Sequence, residues 1–123
     1  MNVWLLVAAV NGLLAVAAGA FGAHGLQARI DAHALQVFET GARYHMYHAL
    51  AIGLAAFAIR DAAEGPATAA AGFFLAGILL FSGSLYLLAL TGTKLLGIIT
   101  PFGGVCFLIG WGCLAFAATR LKM

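Results

Sequence analysis

The sequence predicts an all-α, polytopic membrane protein: a bundle of four transmembrane helices, with a short amphipathic surface helix between helices 1 and 2. Three observations carry that prediction. Hydrophobic residues make up 64% of the 123 residues, and the mean hydropathy is +1.05. Charged residues make up only 8%, against about 25% in an ordinary soluble domain. The charged side chains also leave four uncharged stretches, 1–28, 44–59, 65–93 and 95–119. Together these exclude a soluble globular domain, a disordered chain, a coiled coil and a disulfide scaffold. A β-barrel is excluded because runs such as Ile78-Leu79-Leu80-Phe81 do not alternate apolar and polar residues. The net charge of +2, without a basic run, gives no footing for nucleic acid.

The first helix is expected over 3–25. Its apolar core is too long for a cleaved signal peptide and has no Lys or Arg before it, so it reads as a true first span. Between 26 and 42, Asp31 can cap a helix, and Ile30, Ala34, Val37 and Phe38 share one face. That pattern predicts a separate helix lying on the membrane surface, in preference to a structured loop. The second span is expected over 43–60. Its uncharged part is 16 residues, about 24 Å at the helical rise. It spans the hydrocarbon if Arg43 and Arg60 extend their stems outward. Residues 60–66, with Arg60, Asp61, Glu64, Gly65 and Pro66, read as a turn into a third helix over 66–90. Residues 91–96 turn the chain into a fourth helix over 97–119. Short loops make neighbouring helices antiparallel. No linker divides residues 1–123, so the chain is expected to be a single four-span domain.

With four crossings, both termini lie on one face, face A, and the other face is face B. Face A carries Arg60, Arg120 and Lys122, and face B carries Arg29, Arg43 and Lys94. The positive-inside count is therefore tied, and the free amino terminus is the only pointer, towards a cytoplasmic face A. Small residues four apart, Ala15-Gly19-Ala23, Cys106-Gly110 and Cys113-Ala117, are expected at helix contacts, or at the interface of a homo-oligomer. The two cysteines read as packing residues, too far apart along one helix for an unstrained disulfide.

Folding the motifs onto this topology gathers polar residues near face B: His24, then Tyr44 and His48, then Ser82, Ser84 and Tyr86, then Thr100. Nearly every intramembrane polar group then lies in one leaflet, with Asn11 the main exception. Pro101 is expected to remove a backbone donor inside the fourth helix, and a nearby Ser, Tyr or His could satisfy the freed carbonyl. The cluster reads either as a hydrogen-bond network pinning the helices, or as a small pocket for a lipid headgroup, ion or small solute. A metal or haem site is a third reading, since four His lie between 24 and 48, but their spacing matches no zinc signature. No nucleophile elbow, phosphate loop or thioredoxin motif is present, so no enzyme and no cofactor is expected.

At these residues the chain resembles the YgdD/YwdK family of small bacterial inner-membrane proteins, domain-of-unknown-function family 423, whose eukaryotic relative is transmembrane protein 256. The matching residues are Gly19-Ala20-Phe21-Gly22-Ala23-His24, Tyr44 with His48, Phe81-Ser82-Gly83-Ser84-Leu85-Tyr86, and Thr100-Pro101-Phe102-Gly103-Gly104 with Gly110-Trp111. The resemblance implies a multi-pass plasma-membrane protein and no particular reaction. It favours His24 and His48 over His33 and His45. The resulting expectation is a non-enzymatic protein whose face-B cluster binds a lipid or small ligand or aids passage of a solute. The alternatives are an accessory subunit of a membrane complex and a metal- or haem-binding redox protein.

Overall fold

The computed structural model describes residues 1–60 and 64–121. The expected turn at Asp61 and the face-A charge of Lys122 lie outside the described residues. Among the described residues the chain is helical throughout, with helices α1 (Val3–His24), α2 (Ala32–Arg60), α3 (Glu64–Thr91) and α4 (Thr100–Ala118). A 3₁₀ turn, Leu26–Ala28, leads towards α2, and another, Lys94–Ile98, precedes α4. Three helical segments, Val3–Ala28, Glu64–Thr91 and Lys94–Ala118, are long and apolar enough to cross a membrane.

Local chemistry sets the ends. The Asn2 side chain accepts from the Leu5 amide at the start of α1, 3.0 Å, and the Asp31 carboxylate accepts from Ala34 N at the start of α2, 2.7 Å. Both are side-chain caps on otherwise unpaired first-turn amides. Gly92 closes α3 with φ +69°, a left-handed cap that glycine adopts without strain.

Two expectations need correction. The surface helix is not separate: residues 32–42 are the first three turns of α2, which continues without interruption to Arg60. The charge at Arg43 suggested a boundary, but the buried stripe Phe38, Gly41, His45, His48, Ile52, Ala55 passes through it at helical spacing. Pro101 is also not in a helix interior. It is the second residue of α4, where its missing donor costs nothing.

The helices pack as antiparallel neighbours. Phe38 of α2 lies against Gly22 of α1, and Gly53 against Ala8. Tyr44 of α2 meets Phe81 of α3, and His48 meets Phe74. Phe107 and Gly110 of α4 seat against Gly77 and Phe74 of α3. The central core joins Ala8, Ala51, Ile52, Ala55, Ala71, Phe74, Ile78 and Phe107 from all four helices. The buried residues of α1 are Ala8, Ala15 and Gly22, seven apart, so Ala15 is at a helix contact as expected, while Gly19 meets nothing within 4 Å and Ala23 is exposed. In α4 the buried residues are Gly103, Phe107, Gly110 and Ala117, with Cys106 and Cys113 beside that seam.

Midway along α3 the helix widens into a π turn, Ile78–Ser82. There α4 makes its tightest approach. A Cβ on Gly103 would fall on the Phe81 amide nitrogen and within 2.7 Å of its Cα.

Candidate functional site

The polar residues of the four helices form three hydrogen-bonded groups. The first runs from α1 through α2 to α3. Asn11 Nδ2 donates to the Val7 carbonyl, 2.9 Å, which turns Oδ1 towards α2. His45 Nε2 lies 3.0 Å from that oxygen, and His45 Nδ1 lies 3.0 Å from the Tyr86 hydroxyl. An amide oxygen can only accept, so Nε2 carries the proton, Nδ1 accepts, and Tyr86 donates. One chain of bonds thus ties three helices.

The second group centres on His48. Its Nδ1 donates to the Tyr44 carbonyl one turn earlier, 2.8 Å, and its Nε2 accepts from Trp111 Nε1, 3.1 Å. Its ring stacks on Phe107 with centroids 3.5 Å apart and planes 7° apart. The two histidines therefore hold opposite neutral tautomers. Each has both ring nitrogens engaged by the protein, so neither presents a free lone pair to a metal. Among the described residues no three His, Cys, Asp or Glu side chains gather.

The third group joins α3 to α4. Ser84 Oγ donates to the Phe81 carbonyl, 2.9 Å, and lies 2.6 Å from Thr100 Oγ1. Thr100 Oγ1 also lies 3.4 Å from the Leu96 carbonyl, so each hydroxyl has a backbone acceptor and either can donate between them. The Phe81 carbonyl belongs to the π turn, so the serine hydroxyl satisfies irregular backbone of its own helix and not a carbonyl freed by Pro101. Ser82, at the end of the same turn, is fully buried, and among the described residues its hydroxyl has no partner. A buried unpaired hydroxyl is destabilising rather than adhesive.

Of the expected site residues, His48, Tyr86, Ser84 and Thr100 enter these groups through their side chains. Tyr44 enters through its carbonyl, and its ring is 38% exposed, packed on Tyr47 and Phe81. His24 is exposed at the end of α1 and enters none of the bonds among the described residues. Three participants were not among the expected residues: Asn11, His45 and Trp111. The signal for His45 was its place on the buried stripe of α2. Because α2 begins at Ala32, His45 lies about 20 Å along it by helical rise, near its middle, and pairs with Asn11, the residue first set apart.

Beside the His48 group an open groove of about 410 Å³ is lined by Tyr44, Tyr47, His48, Phe81, Phe107 and Trp111. It is aromatic and apolar, and Tyr44, Tyr47 and Trp111 are exposed along it.

Three apolar helices of crossing length around a buried polar seam define an integral membrane protein. The chain belongs to the family described as "Protein of unknown function (DUF423)", which matches residues 18–104. It is 50% identical over 121 residues to the UPF0382 membrane protein YwdK of Bacillus subtilis, covering 98% of each chain. It is 47% identical over 120 residues to UPF0382 membrane protein SAB0533 of Staphylococcus aureus, again 98% of each. A UPF0382 membrane protein of Haemophilus influenzae is 43% identical over 122 residues, 98% of this chain and 97% of the relative. No solved structure matches.

Proposed function

We propose that the chain is one four-crossing, non-enzymatic domain of the bacterial plasma membrane that binds lipid on its outer surface. In this reading α2 is the fourth crossing. It is less apolar than its neighbours because it carries His45 and His48, but both are buried against those neighbours. A helix packed along α1 and α3 shares their depth. At 29 residues α2 is about 44 Å long, so its first turns reach beyond the hydrocarbon. Both termini then share a side, taken as cytoplasmic.

The observation that carries the lipid reading is the contrast between seam and groove. The buried polar groups are largely spent on one another, which suits a lock between helices. The aromatic groove of Tyr44, Tyr47 and Trp111 stays open, with amphipathic rings suited to the membrane interface. The seam sets the helix register, and the register shapes the groove.

A second reading, a homo-oligomer or an accessory subunit, is favoured by one feature of α1. Its side bearing Leu6, Val10 and Leu13 is exposed, leaving room for another helix.

Native mass spectrometry of detergent-purified protein tests the proposal, with absorbance and elemental scans on the same sample. Lipid adducts should persist and fall several-fold in Tyr47→Ala at an unchanged melting midpoint. Bare protein, or a stoichiometric metal or chromophore in place of lipid, would overturn it. A stable multimer without lipid would support the second reading.

A further inference from the structure

At the opposite end of the bundle from Arg60 and Arg120, a cleft of about 680 Å³ opens between the start of α2 and the end of α3. Its polar lining includes Arg29, Lys94, Asp31 and His33, and its apolar wall includes Val37, Leu88 and Leu90. Arg29 comes from the turn before α2 and Lys94 from the turn before α4, 65 residues later, so only the fold brings them to one cleft. Asp31 is the only carboxylate in the lining, and its Oδ1 is committed to the Ala34 amide as the α2 cap. Among the described residues, none of the side-chain hydrogen bonds uses Arg29, His33 or Lys94. The amino-terminal amides of α2 add partial positive charge at the same corner.

We propose that this cleft binds the phosphodiester of an anionic phospholipid. The inference rests on the reading of the bundle as a lipid-binding membrane protein and names the lipid class. The placement is what such a lipid needs. The cleft lies where the apolar spans Val3–Ala28 and Glu64–Thr91 end and Lys94–Ala118 begins, the level of the headgroups. Guanidinium and ammonium groups meet the phosphate, while the Val37, Leu88 and Leu90 side receives the first carbons of the chains. The aromatic groove begins about 10 Å further along the same two helices, at Tyr44 on α2 and Phe81 on α3. That separation is within the length of one acyl chain. A zwitterionic lipid carries a cationic group that Arg29 and Lys94 repel, so the cleft selects net negative headgroups.

The test is native mass spectrometry of the full chain titrated separately with phosphatidylglycerol, phosphatidylcholine and inorganic phosphate. Phosphatidylglycerol should be retained about tenfold more than phosphatidylcholine. The double variant Arg29→Gln with Lys94→Gln should abolish that preference, because both residues are exposed and their loss leaves the core intact. The control Arg120→Gln, at the other end, should keep it. Equal retention of the two lipids, or a preference that survives the double variant, overturns the cleft while leaving the lipid reading standing. Retention of neither lipid overturns both. Phosphate alone displacing phosphatidylglycerol at comparable concentration overturns the lipid in favour of a soluble anion. An unchanged melting midpoint in the double variant separates lost binding from lost fold.

Discussion

Replacing Gly103 with alanine is expected to destabilise the protein by about 3 kcal/mol, the upper end of the overpacking range. The new Cβ would collide with backbone, the Phe81 nitrogen and Cα, and backbone cannot rotate away as a side chain can. Either α4 separates from α3 or the π turn is rebuilt. Separation would also pull Phe107 from its seat against Gly77, stretch the Ser84–Thr100 bond and loosen the stack of Phe107 on His48. Gly112→Ala is the control on the same helix. Nothing lies within 4 Å of its Cβ position, so it should be neutral or slightly stabilising through helix propensity. Thermal or SDS unfolding in detergent measures both, and equal midpoints for the two variants would show that the close approach is not as described.

The second large effect is expected at His48. His48→Ala removes a ring stacked on Phe107 and leaves the Trp111 N–H without its acceptor. Cavity and unpaired donor together predict a loss of about 3 kcal/mol. A double-mutant cycle with Trp111→Phe isolates the hydrogen bond, which should couple by about 0.6 kcal/mol and at most about 1.7 kcal/mol, as between membrane helices generally. His24→Ala, at an exposed position, should stay within about 0.5 kcal/mol of the parent. If His24→Ala were the more damaging variant, the assignment of the histidines would be wrong.

These contrasts show which parts of the architecture were legible in residues alone. Charge-free stretches located α1, α3 and α4, because a long apolar run has few places to go except lipid. Asp31 was legible as a cap because its short acidic side chain suits that position. The extent of α2 was not, because Arg43 was weighed as an end rather than as an exposed point on a continuing helix. The buried stripe from Phe38 to Ile52 held the answer and outweighs the one exposed charge at Arg43. Placing that start at Arg43 hid the partnership of His45 with Asn11, and His24 was drawn into a cluster from which its place at the end of α1 separates it. Tyr86 and Thr100 were found because polar residues on apolar helices turn inwards. Their partners depend on the π turn, a one-residue register shift to which periodicity is blind.

Everything proposed rests on α2 crossing alongside its neighbours, with the polar seam enclosed among four crossings. Side-specific cysteine labelling in intact cells tests that most directly. In a Cys106→Ala, Cys113→Ala background, Asn2→Cys and Arg120→Cys report the two ends, while Gln27→Cys and Lys94→Cys report the opposite loops. Four crossings predict that Asn2→Cys and Arg120→Cys label from one side and Gln27→Cys and Lys94→Cys from the other. Labelling of the two ends from opposite sides would leave three crossings, put α2 outside the membrane and contradict the account.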